Sequence, residues 1–295
     1  MPSYPVDTYQ GKPLEKSHTV RSVISCPTHL GFPSKRERFF GAAINKKTLL
    51  WLGPSQDEVG KDFDKFCGRS CELSGRAYLQ APPAEIHNMV QIIAHGRKTS
   101  LPHFYKGNKK TAASMIDVLP KLLPPGACSR VGDYERQRRE TRGTGTDSAY
   151  FVDLDHNPGK GPTAGAHWPC MLTHNSIYSF PDERLVTEGE CFSAMGVDWY
   201  PRLSGTRACS QLKDHLQMLS RADQRFLAGN SIHIPSAMAW MLYIWCNCAF
   251  RSDFECIPAV LAEAKQLCDE AHDDADVERD TLGSKSKRMR IVGPL

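Results

Sequence analysis

The chain has 295 residues, 40% of them apolar, with 11 cysteines and a formal charge of +4. This is enough to bury a sizeable core in one large or two modest globular domains. So mild a charge does not imply nucleic-acid binding unless it is concentrated, and an odd, irregularly spaced cysteine set behind an N-terminus without an apolar signal core argues for a reducing compartment over a disulfide framework.

In chain order, residues 18–26 (HTVRSVISC) and 38–44 (RFFGAAI) are rich in β-branched and apolar residues and predict two strands. The segment between them, PTHLGFPSKRE, holds two prolines and a glycine and predicts a tight, basic loop. Residues 53–148 are polar, with Pro/Gly clusters and modest helical patterns, and read as an insertion or small second lobe. Within them, residues 106–142 carry nine Lys/Arg against four acids. Such a run is either a solvated face or a nucleic-acid contact. Cys67/Cys71 and Cys246/Cys248 lack the spacing of a zinc knuckle.

Residues 147–180 alternate short apolar runs with turn residues and predict a meander of short strands. Thr187 then opens a helical pattern in which Glu190, three positions on, completes a capping box, and Gly196 ends the helix. Residues 232–250 form the most apolar stretch, broken by His233, Pro235, Ser236 and Asn247, which favours a buried helix over a membrane span. With Met238, Trp240, Met241, Leu242, Tyr243 and Trp245, apolar residues fall on every face of that helix, so it needs cover on more than one side. The tail is acidic over residues 255–280, nine acids against two bases, and basic over residues 285–290. It reads as a helix fraying into a linker, then a disordered tail or an import signal.

Three segments, in order and spacing, resemble the late motifs of the cytosine-C5 DNA methyltransferase family. Gly31-Phe32-Pro33-Ser34-Lys35-Arg36-Glu37-Arg38 is similar to the family's eighth motif, with Ser34 where glutamine is usual. Arginines at i and i+2 in a strand-entering loop put both guanidinium groups on one side, suited to a phosphate and a base carbonyl together. The resemblance implies that Arg36 and Arg38 face the target DNA. Arg184-Leu185-Val186-Thr187-Glu188-Gly189-Glu190, running on to Gly196, is similar to the ninth motif, whose implied role is organisational, with Arg184, Thr187 and Glu190 holding a capped helix and its loop. Gly229-Asn230-Ser231 before an apolar helix resembles the tenth. There, glycine admits a close backbone approach, an asparagine can cap the helix, and the implied cofactor-side residues are Asn230 and Ser231, against S-adenosylmethionine.

The family's nucleophile and cofactor segments do not match: the chain has no Phe-x-Gly-x-Gly, no Glu-Asn-Val, and no Pro-Cys before residue 31. Pro169-Cys170 follows the eighth motif instead of preceding it, so no catalytic residue is assigned. Methylation at C5 requires a thiolate to add to C6 and an acid near N3.

The resemblance therefore implies the C-terminal half of such an enzyme, inactive alone. Its fold class is α/β, with a partial Rossmann-like lobe (last strands and closing helix) and an irregular β-rich target-recognition lobe. The implied domains are residues 1–47 (end of the catalytic lobe), 48–180 (insertion and target recognition), 181–268 (ninth and tenth motifs with the closing helix) and 269–295 (charged tail). The implied partners are DNA or RNA and an N-terminal methyltransferase half or a second copy, without a membrane. The compartment is the nucleus or another that contains DNA. A non-catalytic nucleic-acid-binding module and an RNA cytosine methyltransferase relative remain the alternatives.

Overall fold

The structure, a computed structural model, describes residues 12–99, 115–140, 150–158, 164–174, 176–200 and 211–252. It is mixed α/β with small sheets. Two compact units divide the chain: residues 1–21, 43–53 and 245–295 form one, and residues 22–42 and 54–244 the other.

The first unit contains helix α1 (Lys12–Ser17) and an antiparallel ribbon of β3 (Leu49–Trp51) with β8 (Cys248–Phe250), in register Leu49 to Phe250 and Trp51 to Cys248. Backbone bonds from Arg251 to Thr48 and from Leu52 to Asn247 extend that ribbon at both ends. The Arg21 guanidinium lies over the Trp51 ring at 5.2 Å, a cation–π contact. The strands foreseen from the β-branched runs form: β1 (His18–Ser25) pairs with β2 (Arg38–Asn45), and the linking loop holds a 3-10 turn at Pro27–His29.

In the second unit, helices α2 (Gln56–Cys67), α3 (Pro83–Gly96), α4 (Met115–Leu122) and α5 (Pro125–Glu140) fill the segment that sequence marked as polar. The meander is a four-stranded antiparallel sheet of order β5-β4-β6-β7, from β4 (Phe151–Asp153), β5 (Ala164–Gly165), β6 (Ile177–Ser179) and β7 (Arg184–Leu185). Then come α6 (Glu188–Ala194), α7 (Gln211–Gln217), α8 (Arg221–Asn230) and α9 (Ile234–Cys246).

One side of the sheet packs on the α3–α5 layer through Val90, Leu119, Leu122, Tyr134, Leu154 and Tyr178. A second cluster surrounds α6 with Phe151, Trp168, Met171, Phe192 and Trp199. Fully burying each such side chain contributes about 1.5–3 kcal/mol. The helices of the polar segment have cores because their apolar residues share a side: Met89, Val90 and Ala94 are buried on α3, and Val118, Leu119 and Leu122 on α4.

The apolar helix α9 is covered on one side by that same polar segment. Phe63 of α2 meets Trp240 and Tyr243 edge-on at 5.7 and 5.4 Å, and the Tyr243 hydroxyl donates to Asp62 at 2.8 Å. Met238, Met241 and Leu242 stay exposed. No described helix is long and apolar enough to cross a membrane.

Candidate functional site

The two arginines of the first motif part company. Residues 35–37 are irregular and β2 begins only at Arg38, so strand alternation does not apply between positions 36 and 38. Arg36 is buried, 2% exposed, and its guanidinium donates to the carbonyls of Met171 (2.8 Å), Gly229 (2.6 Å) and Ser231 (2.5 Å). Gly229 and Ser231 stand at the end of α8, where terminal carbonyls lack intrahelical partners and the dipole favours a cation. Burial, then the like charge of Arg38, lower the Arg36 pKa, opposed by Cys170. The expectation that Arg36 faces DNA does not fit this placement: three of the five guanidinium N–H groups go to carbonyls, and the two left, on Nη1 and the unpartnered Nε, belong to a side chain that is buried. Arg38 is partly exposed and, among the described residues, donates to its neighbour's carbonyl at Glu37, 2.8 Å away.

Gly229 is held by a close approach. A Cβ there would lie 2.4 Å from the backbone at Leu172 and Thr173, so α8 reaches that loop only with glycine. Asn230 does not cap the apolar helix: it is the last residue of α8, with an exposed side chain. Ser231 spends its hydroxyl on the Ala228 carbonyl at 2.8 Å. Of the two residues assigned to the cofactor side, Asn230 alone presents its side chain outward.

The cap of α9 is His233, which sequence reasoning did not single out. Its Nδ1 accepts from the Ser236 backbone N–H at 3.2 Å and from the Ser236 hydroxyl at 2.7 Å, which leaves the proton on Nε2. Phe32 packs edge-on to the ring at 5.0 Å. Burial, then the charge of Arg36, push the His233 pKa down to about 4. The available signal was a polar residue three positions before Ser236 at the start of an apolar run.

The ninth-motif segment forms the predicted capping box, with Glu190 N–H donating to Thr187 Oγ1 at 3.3 Å and Thr187 N–H to Glu190 Oε2 at 2.9 Å. Glu190 is fully buried and also accepts two bonds from Arg184, at 2.8 and 2.5 Å, and one from Ala81 N–H at 2.9 Å. Burial acts to lower the Arg184 pKa, but the bonds and charge of Glu190 outweigh it and hold it up. Gly196, at φ +85°, ends the turn. This is a latch between α6, β7 and the loop at Ala81.

Of the basic run, Lys109 lies outside the described residues. Arg138 and Arg139 on α5 share Glu135, both at 3.0 Å, and Arg138 lies over Phe180 at 5.4 Å. Burial opposes ionisation of Glu135, but both arginines draw its pKa down. This end of the run is therefore paired, with Arg138 packed and the Arg139 side chain exposed. Cys170 is exposed beside Arg36.

No protein-family model matches the chain, and no curated protein is significantly similar to it in sequence. Chemically, the arrangement is one of assembly: a buried cation and a buried carboxylate each gather segments far apart in the chain.

Proposed function

We propose that this chain is the target-recognition and cofactor-closing portion of a DNA cytosine-C5 methyltransferase, with the chemistry supplied by a complementing N-terminal half. The observation that carries the reading is the single contact centre at Arg36. Two segments that resemble separate motifs, 193 residues apart, meet on one guanidinium through the Gly229 carbonyl. The same group reaches Met171, in the segment that precedes the ninth-motif segment. The Arg184–Glu190 latch on a capped helix is the organisational role that the ninth motif implies.

In this reading Arg36 organises the recognition lobe and Arg38 is the target-side cation. The β1–β2 ribbon is the end of a Rossmann-like sheet that the other half completes, since two strands alone are marginal in water. S-adenosylmethionine, the methyl donor, fits here only as a contact to be closed. The exposed Asn230 amide suits its polar edge, while the glycine turn that would hold it is not among these residues. DNA as substrate makes a DNA-containing compartment the expected place of action.

The test is methyl transfer from labelled S-adenosylmethionine to DNA by the chain alone and by the chain mixed with a family N-terminal half. The chain alone is expected to transfer nothing, and the mixture to be active. Transfer by the chain alone, abolished in Cys170→Ala, would overturn the assignment. Salt-dependent DNA binding without complementation or cofactor binding would instead select the non-catalytic module.

A further inference from the structure

The two outer edges of the β1–β2 ribbon are finished differently. The Lys46 N–H donates to the Ser17 carbonyl at 2.9 Å, which runs the strands antiparallel. Alternation along the ladder then turns the backbone groups of Val20, Ser22 and Ile24 to the outer edge of β1, and those of Phe39, Gly41 and Ala43 to the outer edge of β2. Side chains close the β1 edge. Gln56 lies along it like a short strand: its Oε1 accepts from the Ser22 N–H at 3.0 Å and its Nε2 donates to the Ser22 carbonyl at 3.1 Å, while Arg21 donates to the Val20 carbonyl at 2.9 Å. The β2 edge has no such cover among the described residues. No strand pairs with it, Phe39, Gly41 and Ala43 are all exposed, and residues 39–44 contain neither a charge nor a proline to discourage pairing.

We propose that the outer edge of β2 pairs with the same edge of a second copy of this chain, and that Gln56 closes the opposite edge so that pairing stops at a dimer. Three features select a copy. A twofold axis at Gly41 pairs the strand along its length, with each outward residue exchanging both backbone bonds with the copy. It sets Phe39 beside Ala43 of the second copy and glycine beside glycine, a large side chain against small ones. The Phe39 ring already lies over its own Gly41, where a Cβ would come 3.2 Å from it. The same axis opposes no like charges, since Arg38 stands across from Ile44 and Glu37 across from Asn45. A strand of eight residues buries less than the roughly 800 Å² per partner of a standard interface, so the dimer is reversible.

This contact does not rest on the methyltransferase reading above. A complementing half that extends the same ribbon competes with the copy for this edge.

The test is sedimentation velocity of the full chain over a wide concentration range, with amide hydrogen exchange at both ends of that range. The chain is expected to pass reversibly from monomer to dimer, and the Gly41 and Ala43 amides to exchange fast in the monomer and slowly in the dimer. Gly41→Lys, which sets two ammonium groups opposite each other, is expected to weaken the dimer by at least about tenfold. Gly41→Asp is expected to do the same, and an equimolar mixture of the two variants to recover the dimer, with thermal midpoints showing each variant folded. Gln56→Ala is expected to add species larger than the dimer, because a ribbon open on both edges continues the sheet. A monomer at every concentration, or a mixture of the Gly41 variants that stays monomeric, would overturn the proposal. So would a dimer whose Gly41 amide stays fast, held instead through a surface such as the exposed Met238 and Met241 of α9. A Gln56→Ala chain that stops at the dimer would overturn the role given to Gln56. Methyl transfer by the complemented chain with no dimer of the chain alone refutes the dimer and leaves the methyltransferase reading standing; a charge-paired dimer without complementation does the reverse.

Discussion

Replacing Arg36 with methionine keeps the apolar stem and removes the guanidinium that holds Met171, Gly229 and Ser231 together. Hydrogen bonds to a charged group contribute about 1.5–3 kcal/mol each, so three amount to roughly 4–9 kcal/mol. Against this stands the desolvation of a buried cation without a carboxylate partner, several kcal/mol that the methionine variant recovers. The net loss is then about 2–4 kcal/mol, a large share of the roughly 5–15 kcal/mol by which domains are stable. Arg36→Lys keeps the charge but not the planar fork and should fall between the two. Urea unfolding followed by tryptophan fluorescence reads this as a lower midpoint at unchanged slope. A loss below about 1 kcal/mol, or intact stability with weakened DNA binding, would refute the organising role and restore Arg36 to the target side.

His233 is held neutral in the folded state, with its pKa about 4 against an ordinary 6.5. A depressed histidine pKa gives stability that is full above pH 6.5 and is lost as pH falls toward 4, by about 2 kcal/mol at pH 5 and about 3 kcal/mol once both states are protonated. Urea midpoints at several pH values should show that slope in the wild type and a flatter one in His233→Asn; equal slopes would remove His233 from the account. Thr187→Ala deletes one half of the capping box and should cost about 1 kcal/mol in thermal unfolding, whereas Val is expected to do no better. Arg38→Ala should leave the midpoint within about 0.5 kcal/mol and weaken DNA binding in the complemented assembly by about 1–3 kcal/mol. Unchanged affinity there would end its target-side assignment.

Local patterns were legible in the sequence wherever the determinant was itself local. The β-branched runs gave β1 and β2 within a residue or two, and Thr187 and Glu190 gave their capping box, because a side chain reaching three residues along its own backbone needs no tertiary partner. Turn residues at short intervals gave the meander. The extreme apolarity of α9 gave its need for cover, though not that Phe63 and Asp62 would provide part of it.

What only the tertiary structure decided depends on which distant groups meet. The i, i+2 spacing of Arg36 and Arg38 carried the expectation of a shared face, but that spacing fixes direction only inside a strand, and Arg36 lies before it. Its burial followed from three carbonyls up to 195 residues away, whose need for donors no local pattern displays. The same holds for His233, whose depressed pKa comes from burial and the nearby Arg36 charge, and for Glu190, whose acceptors were filled from Ala81 and Arg184 as well as from its own helix. The chain itself determines the periodicity and the caps; the charge state and accessibility of a side chain are set by neighbours that arrive only when the fold closes.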